Sequence, residues 1–136
     1  MNRTVVRIAG ALATLVAAYA AASMGHMARV IVGAGVGLPS FILMVISRRQ
    51  LGASFAITPE AKSLVTTGLY SHIQHPMYLF LDLLLVALIV SFGLRLLLPV
   101  WAVIVAIQML QAGREEKVLA EAFTGEYKAY ARRLWV

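Results

Sequence analysis

Apolar residues run through this chain in long blocks parted by short polar breaks. The first block, Val5 to Ser23, is followed after a few residues by a second from about Arg29 to Ser47. Each is close to the ~20 residues that take an α-helix across a ~30 Å hydrocarbon core. The gap from Gly25 to Arg29 fits the tight turn of a helical hairpin. Gly33, Gly35, Gly37 and Pro39 crowd the first half of the second block. There small side chains let a neighbouring helix approach, and the proline predicts a kink. Arg48-Arg49-Gln50 ends the block.

Leu51 to Gln74 is the longest polar-leaning connection. Phe55, Ile57, Leu64, Val65, Leu69 and Tyr70 anchor it to an interface, and Thr58-Pro59-Glu60 has the chemistry of a helix start or turn. A third apolar block spans Pro76 to Phe92, Gly93-Leu94-Arg95 turns the chain, and a fourth runs from Leu96 to about Leu110. Pro99 falls in its first turn, where proline is tolerated. From Arg114 to Arg133, Val118, Leu119, Ala122, Phe123, Tyr127 and Tyr130 recur mostly at three or four, which predicts a charged amphipathic tail helix. The alternating ten-residue segments of a membrane barrel are absent from the pattern. The expected fold is an all-α integral membrane protein. It has about four transmembrane helices, a cytoplasmic interfacial connection and a C-terminal amphipathic helix, in one domain over residues 1–136 with an N-terminal hairpin over 1–50.

Composition strengthens this reading: 61% of residues are hydrophobic and 13% charged, which excludes an ordinary soluble domain. The absence of cysteine removes disulfides, thiolate metal sites and cysteine nucleophiles. The net charge of +6 bears on topology. Arg3, Arg7, Arg48, Arg49, Lys62, Arg114, Lys117, Lys128, Arg132 and Arg133 fall on one side of the predicted spans, leaving Arg29 and Arg95 on the other. The expected protein is multi-pass with both termini cytoplasmic, in a bacterial-type inner membrane. Basic residues flank the spans instead of interleaving with aromatics, so membrane lipids are expected partners and nucleic acid is not. The positive start and Ala-Tyr-Ala-Ala-Ala-Ser also resemble a cleavable signal peptide, but the short gap to the second block favours a hairpin.

Polar chemistry is confined to few places. On a helix beginning at Pro76, His75, Tyr78 and Asp82 form one stripe, with Asp82 roughly 10 Å below the start at ~1.5 Å per residue. Gln108, Gln111 and Glu115 form a matching stripe on the next span and lead to Glu116. A mid-span acid costs on the order of 2.5–3.5 kcal/mol to insert, so Asp82 should face a paired or wet interior. Both stripes lead to one surface, which suggests a membrane-embedded pocket with a cytoplasmic mouth. Plainer roles compete: Pro76 as a first helical residue, Tyr78 as an interfacial anchor, and Glu115-Glu116 as the acidic first turn of the tail helix. His72 and His75 lack a third metal ligand nearby, the glycines of the second block lack the Lys-Ser/Thr of a phosphate loop, and no serine sits in a nucleophile elbow. No metal is expected.

Five blocks occur in order: Leu51-Gly52-Ala53-Ser54-Phe55, Leu64-Val65-Thr66-Thr67-Gly68-Leu69-Tyr70, Gln74-His75-Pro76-Met77-Tyr78, Arg114-Glu115-Glu116-Lys117-Val118-Leu119 and Phe123-Thr124-Gly125-Glu126-Tyr127-Lys128-Ala129-Tyr130. Together they resemble the integral-membrane methyltransferases, among them the isoprenylcysteine carboxyl methyltransferases and phospholipid N-methyltransferases. The likeness covers about residues 50 to 136 and implies a methyltransferase-like core over 51–136. It implies an S-adenosylmethionine-dependent enzyme whose lipid-soluble or lipidated acceptor enters from the bilayer. His75, Pro76 and Tyr78 would line the cofactor, Gly68 and Tyr70 would fold over it, and Glu115 and Glu116 would hold its polar end. Glu115 or His75 could serve as base for an amine acceptor, and Arg114 as the cation for a carboxylate acceptor. The chain departs from the pattern at Gln74, where an arginine is usual, at Phe80 in place of a glycine, in the shifted Phe-Thr-Gly-Glu-Tyr block, and at a closing Val-Pro cut short at Val136. A non-catalytic small membrane protein on the same scaffold, a subunit or small-molecule binder, is the competing function.

Overall fold

Long apolar runs with few interior breakers fold as predicted into helices. The computed structural model describes residues 3–52 and 64–135. Its helices are α1 (Arg3–Ala22), α2 (His26–Leu51), α3 (Pro76–Phe92), α4 (Leu98–Ala122) and α5 (Thr124–Ala131), with 3₁₀ turns at Gly68–Ser71 and Arg95–Leu97. Among the described residues there is no strand. The anchors Phe55 and Ile57, the Thr58-Pro59-Glu60 turn, Lys62 and the Ala53-Ser54-Phe55 part of the first block lie outside the described residues. Three helical stretches, Arg3–Ala22, His26–Leu51 and Arg95–Ala122, are long and apolar enough to cross a membrane. The expected third span, α3, is apolar but shorter at 17 residues, about 26 Å of helix.

Helix α2 continues through Pro39 and packs along α3 with its small residues: Gly33, Gly37, Ser40 and Ser47 are its buried positions. A β-carbon on Gly33 would strike the Ser91 side chain and stand 2.7 Å from the Ala87 carbonyl oxygen. On Gly37 it would lie 3.2 Å from Ala87 Cβ, whereas at Gly35 it would meet open space. The glycines thus divide into two that admit α3 and one that faces outward. Ser40 and Ser47 donate to carbonyls of their own helix, Val36 at 2.7 Å and Leu43 at 2.8 Å, so burial leaves neither hydroxyl unsatisfied.

Gly93 ends α3 in the left-handed region at φ 67°. Its N–H donates to Val90 at 3.0 Å and that of Leu94 donates to Ile89 at 2.9 Å, the paired bonds of a Schellman cap. Arg29 lies against this glycine, so a side chain there would be excluded twice, by backbone and by space. Beyond the turn, Ala18, Val86, Ile89, Val90, Leu98, Trp101 and Val105 form the core shared by α1, α3 and α4. Large apolar side chains such as Val16, Leu96 and Leu110 face outward, as lipid contact demands.

The tail departs from expectation. No helix begins at Arg114: α4 carries the fourth span straight through Glu115 and Glu116 to Ala122. It breaks at Phe123, whose φ −125°, ψ 53° is not helical. The acidic pair is therefore mid-helix, and its reading as a first-turn dipole partner falls away. Charge ends a membrane crossing, but it does not end a helix: the run from Arg114 to Leu119 is made mostly of good helix formers, and α4 continues even across Gly113.

Helix α5 docks on the connection. Tyr127, Tyr130 and Leu134 bury against Leu64, Leu119 and Phe123. The Tyr130 hydroxyl donates to the Tyr70 carbonyl at 2.6 Å, and Trp135 N–H to the His72 carbonyl at 2.8 Å. Burial pushes the Tyr130 and Tyr70 hydroxyls up to about 12 from an ordinary 10. Both fold better as neutral phenols, so their contribution is complete below pH 10 and is lost as pH rises from 10 to 12. The protection of α5 amides relative to free ones should accordingly be steady through pH 9 and fall above ~10, and Tyr130→Phe should weaken docking by about 1 kcal/mol at neutral pH.

Candidate functional site

Pro76 opens α3 at its first turn, which leaves His75 as the last non-helical residue, its side chain free to turn toward α4. Its ring stacks on Tyr78, centroids 5.6 Å apart and planes at 19°. His75 Nδ1 lies 3.5 Å from Glu115 Oε2, and Nε2 lies 3.8 Å from Glu116 Oε1. The Tyr78 hydroxyl donates to Glu115 Oε1 at 2.7 Å, and Gln111 adds a long donation to the same oxygen at 3.4 Å. Two neighbouring carboxylates, 100° apart around α4, thus embrace one imidazole. His75 Nε2 is buried, and among the described residues Glu116, at 3.8 Å, is the group it faces.

The cluster sits at one end of a cavity of about 200 Å³ between α1, α3 and α4, lined by Arg7, His75, Tyr78, Asp82, Trp101 and Gln108 among others. That volume is below the ~300–1,000 Å³ typical of small-molecule pockets, so it suits an acceptor's head or one end of a cofactor. Deeper in the cavity, the Gln108 amide, oriented to donate, lies 2.7 Å from Asp82 Oδ2. The Trp101 indole N–H, buried and also facing the cavity, bears on the same Asp82 carboxyl. The stripe residues therefore pair as the spacing predicted. Gln108→Leu should strand the Asp82 carboxyl and cost on the order of 1–3 kcal/mol. Replacing both by leucine should cost less, a difference that thermal melts in detergent can read.

Not every expected residue reaches this cluster. Pro76 is fully buried and acts through the backbone. Gly68, at φ 62°, packs on Gln50, whose Oε1 accepts from Leu69 N–H at 2.9 Å; it shapes the connection and does not line the cavity. Tyr70 is buried, with its hydroxyl in the electrostatic reach of Glu115. Arg114 is exposed on the adjoining face of α4, away from the cavity lining.

Arg7 was not among the expected site residues. Its Nη1 donates to Glu116 Oε1 at 2.9 Å and its Nη2 to Gln74 Oε1 at 3.0 Å, and it lines the cavity. Arg3 donates to the same Gln74 oxygen at 3.1 Å and to the Ala131 carbonyl. The signal was present as spacing: Arg3, Arg7, Ala11 and Thr14 form one stripe of α1. Their charges read instead as topology markers.

A family model described as phospholipid methyltransferase matches residues 21–126. The chain belongs to that family. It is therefore an integral membrane protein of a methyltransferase family, and the cluster of His75, Tyr78, Glu115 and Glu116 lies within the matched residues. No curated protein and no solved structure matches the chain. Nearly all of α1, including Arg3 and Arg7, precedes the family match.

Proposed function

We propose that this chain is an S-adenosylmethionine-dependent methyltransferase acting on a lipid-soluble acceptor. The observation that carries the reading is the convergence of His75, Tyr78, Glu115 and Glu116 at the mouth of a cavity in a chain of this family. The residues fit the cofactor chemically. Carboxylates suit an ammonium and a sulfonium, Arg7 suits a carboxylate, and the stacked His75 and Tyr78 rings offer an aromatic wall for adenine. When bound, the cofactor supplies a methyl group already activated on sulfur.

In this reading α3 crosses the membrane as a fourth span, the charged end carrying Arg7 and the acidic pair is cytoplasmic, and the acceptor enters from lipid. The apolar walls exclude water and hold the acceptor in line, which supplies most of the rate when the leaving group is already activated. An amine acceptor loses a proton to the Glu115 carboxylate or to His75. Tyr78, donating to Glu115, holds that carboxylate in place. Arg114 has no role in this reading.

Calorimetry on detergent-solubilised protein tests it. S-adenosylmethionine and S-adenosylhomocysteine should bind saturably, and His75→Ala should weaken binding. Folded protein that binds neither at millimolar concentration sinks the proposal. Transfer of labelled methyl to extracted membrane lipid then separates an enzyme from a binder.

A further inference from the structure

The guanidinium of Arg7 is held from two sides by groups on different elements, Glu116 of α4 and Gln74 of the connection. Gln74 is itself fixed: it is 5% exposed, and its amide donates to the Tyr127 hydroxyl at 2.6 Å. Its one carbonyl oxygen accepts from both Arg3 and Arg7, so two cations gather beside the single carboxylate of Glu116. Arginine carries five N–H donors, and these contacts use one on each terminal nitrogen of Arg7. The remaining donors belong to a side chain that lines the cavity and is 17% exposed. Beside it stand its ion-pair partner Glu116, at 2.9 Å, and Glu115, both against His75. Side by side, a fixed cation and two fixed carboxylates offer both signs that a zwitterion needs.

We propose that α1 supplies an anion-binding arm of the site: Arg7, backed by Arg3 and oriented by Gln74, receives the carboxylate of an amino-acid group whose ammonium is met by Glu115 and Glu116. This rests on the cofactor reading above and names the residue that recognises one end of it. Position 74 is where the family resemblance expects arginine, and the cation instead arrives from a helix outside the matched residues. The competing role for Arg7 is that of a counterion for Glu116, which would serve folding alone.

Calorimetry with two probes separates these roles on the full chain in detergent: S-adenosylhomocysteine and its decarboxylated analogue. Wild type should prefer the carboxylate-bearing probe by at least tenfold. Arg7→Gln should erase that preference, weakening S-adenosylhomocysteine at least tenfold while leaving the analogue within about twofold. The double variant Arg7→Gln/Gln74→Arg should regain most of the preference. Equal binding of both probes by wild type overturns the proposal whatever the variants do, and so does an Arg7→Gln effect that is the same for both. Binding of neither probe by folded wild type overturns the cofactor reading and this inference with it. If Arg7→Gln does not fold, Arg7→Lys, which keeps the charge but not the fork, should retain only part of the preference.

Discussion

Gly33→Leu is expected to leave little folded protein in detergent, whereas Gly35→Leu, two residues along the same helix, should behave as wild type. A β-carbon at position 33 would meet Ser91 and stand 2.7 Å from the Ala87 carbonyl oxygen. The second obstacle is backbone in the middle of α3, so relief requires the helices to part. Overpacking costs about 1–3 kcal/mol where side chains can yield, and the cost should exceed that range here. Separating α2 from α3 would also expose Ser40 and Ser47 and loosen the helix that carries Tyr78 and Asp82. At Gly35 the added side chain meets open space and adds apolar surface toward lipid. Size-exclusion profiles and melting temperatures of the two variants provide the check. Equal behaviour of the two would mean that α2 does not pack on α3 through this face.

Glu115→Gln is expected to reduce cofactor affinity by roughly 10- to 150-fold with the fold intact. Glu115 is the hub of the cluster: Tyr78 donates to it at 2.7 Å, His75 stands 3.5 Å away and Gln111 reaches it at 3.4 Å. Charge-assisted hydrogen bonds contribute about 1.5–3 kcal/mol each, which is the range quoted as fold-change. The substitution keeps shape and one acceptor oxygen for Tyr78 while removing the charge, so lost affinity reports mainly on the charge. Tyr78→Phe should act more weakly, since it frees the carboxylate to move but leaves it ionised and adjacent. A melting temperature unchanged in both variants, with binding lost mainly in Glu115→Gln, is the expected pattern. Unchanged affinity in Glu115→Gln would remove Glu115 from the site.

Much of this was legible before any coordinates. Helix identity rests on local patterns, and Pro76 at a first turn and Gly93 at a left-handed cap declare their roles within a few residues. The meeting of His75 with Glu115 and of Asp82 with Gln108 also followed, because a hairpin of two helices brings stripes of matching depth to face each other. Arg7 against Gln74 joins residues 67 apart in sequence through two intervening elements, and the stripe from Arg3 to Thr14 marks a face of α1 without encoding what that face meets. The same holds for the Trp101 indole in the cavity, since its neighbours along the chain are equally apolar.

By itself, then, the sequence determined the helices, their apolar exteriors and the two polar stripes, because hydrogen bonding within a helix and burial of one stripe are short-range physics. Tertiary structure decided two things. It docked α5 on the connection, and it brought the arginines of α1 to the acidic pair. Each depends on where a helix lies against another, and that is set by packing summed over the whole bundle, with Gly33 and Gly37 fixing one approach and Gln74 gathering the charges at the other.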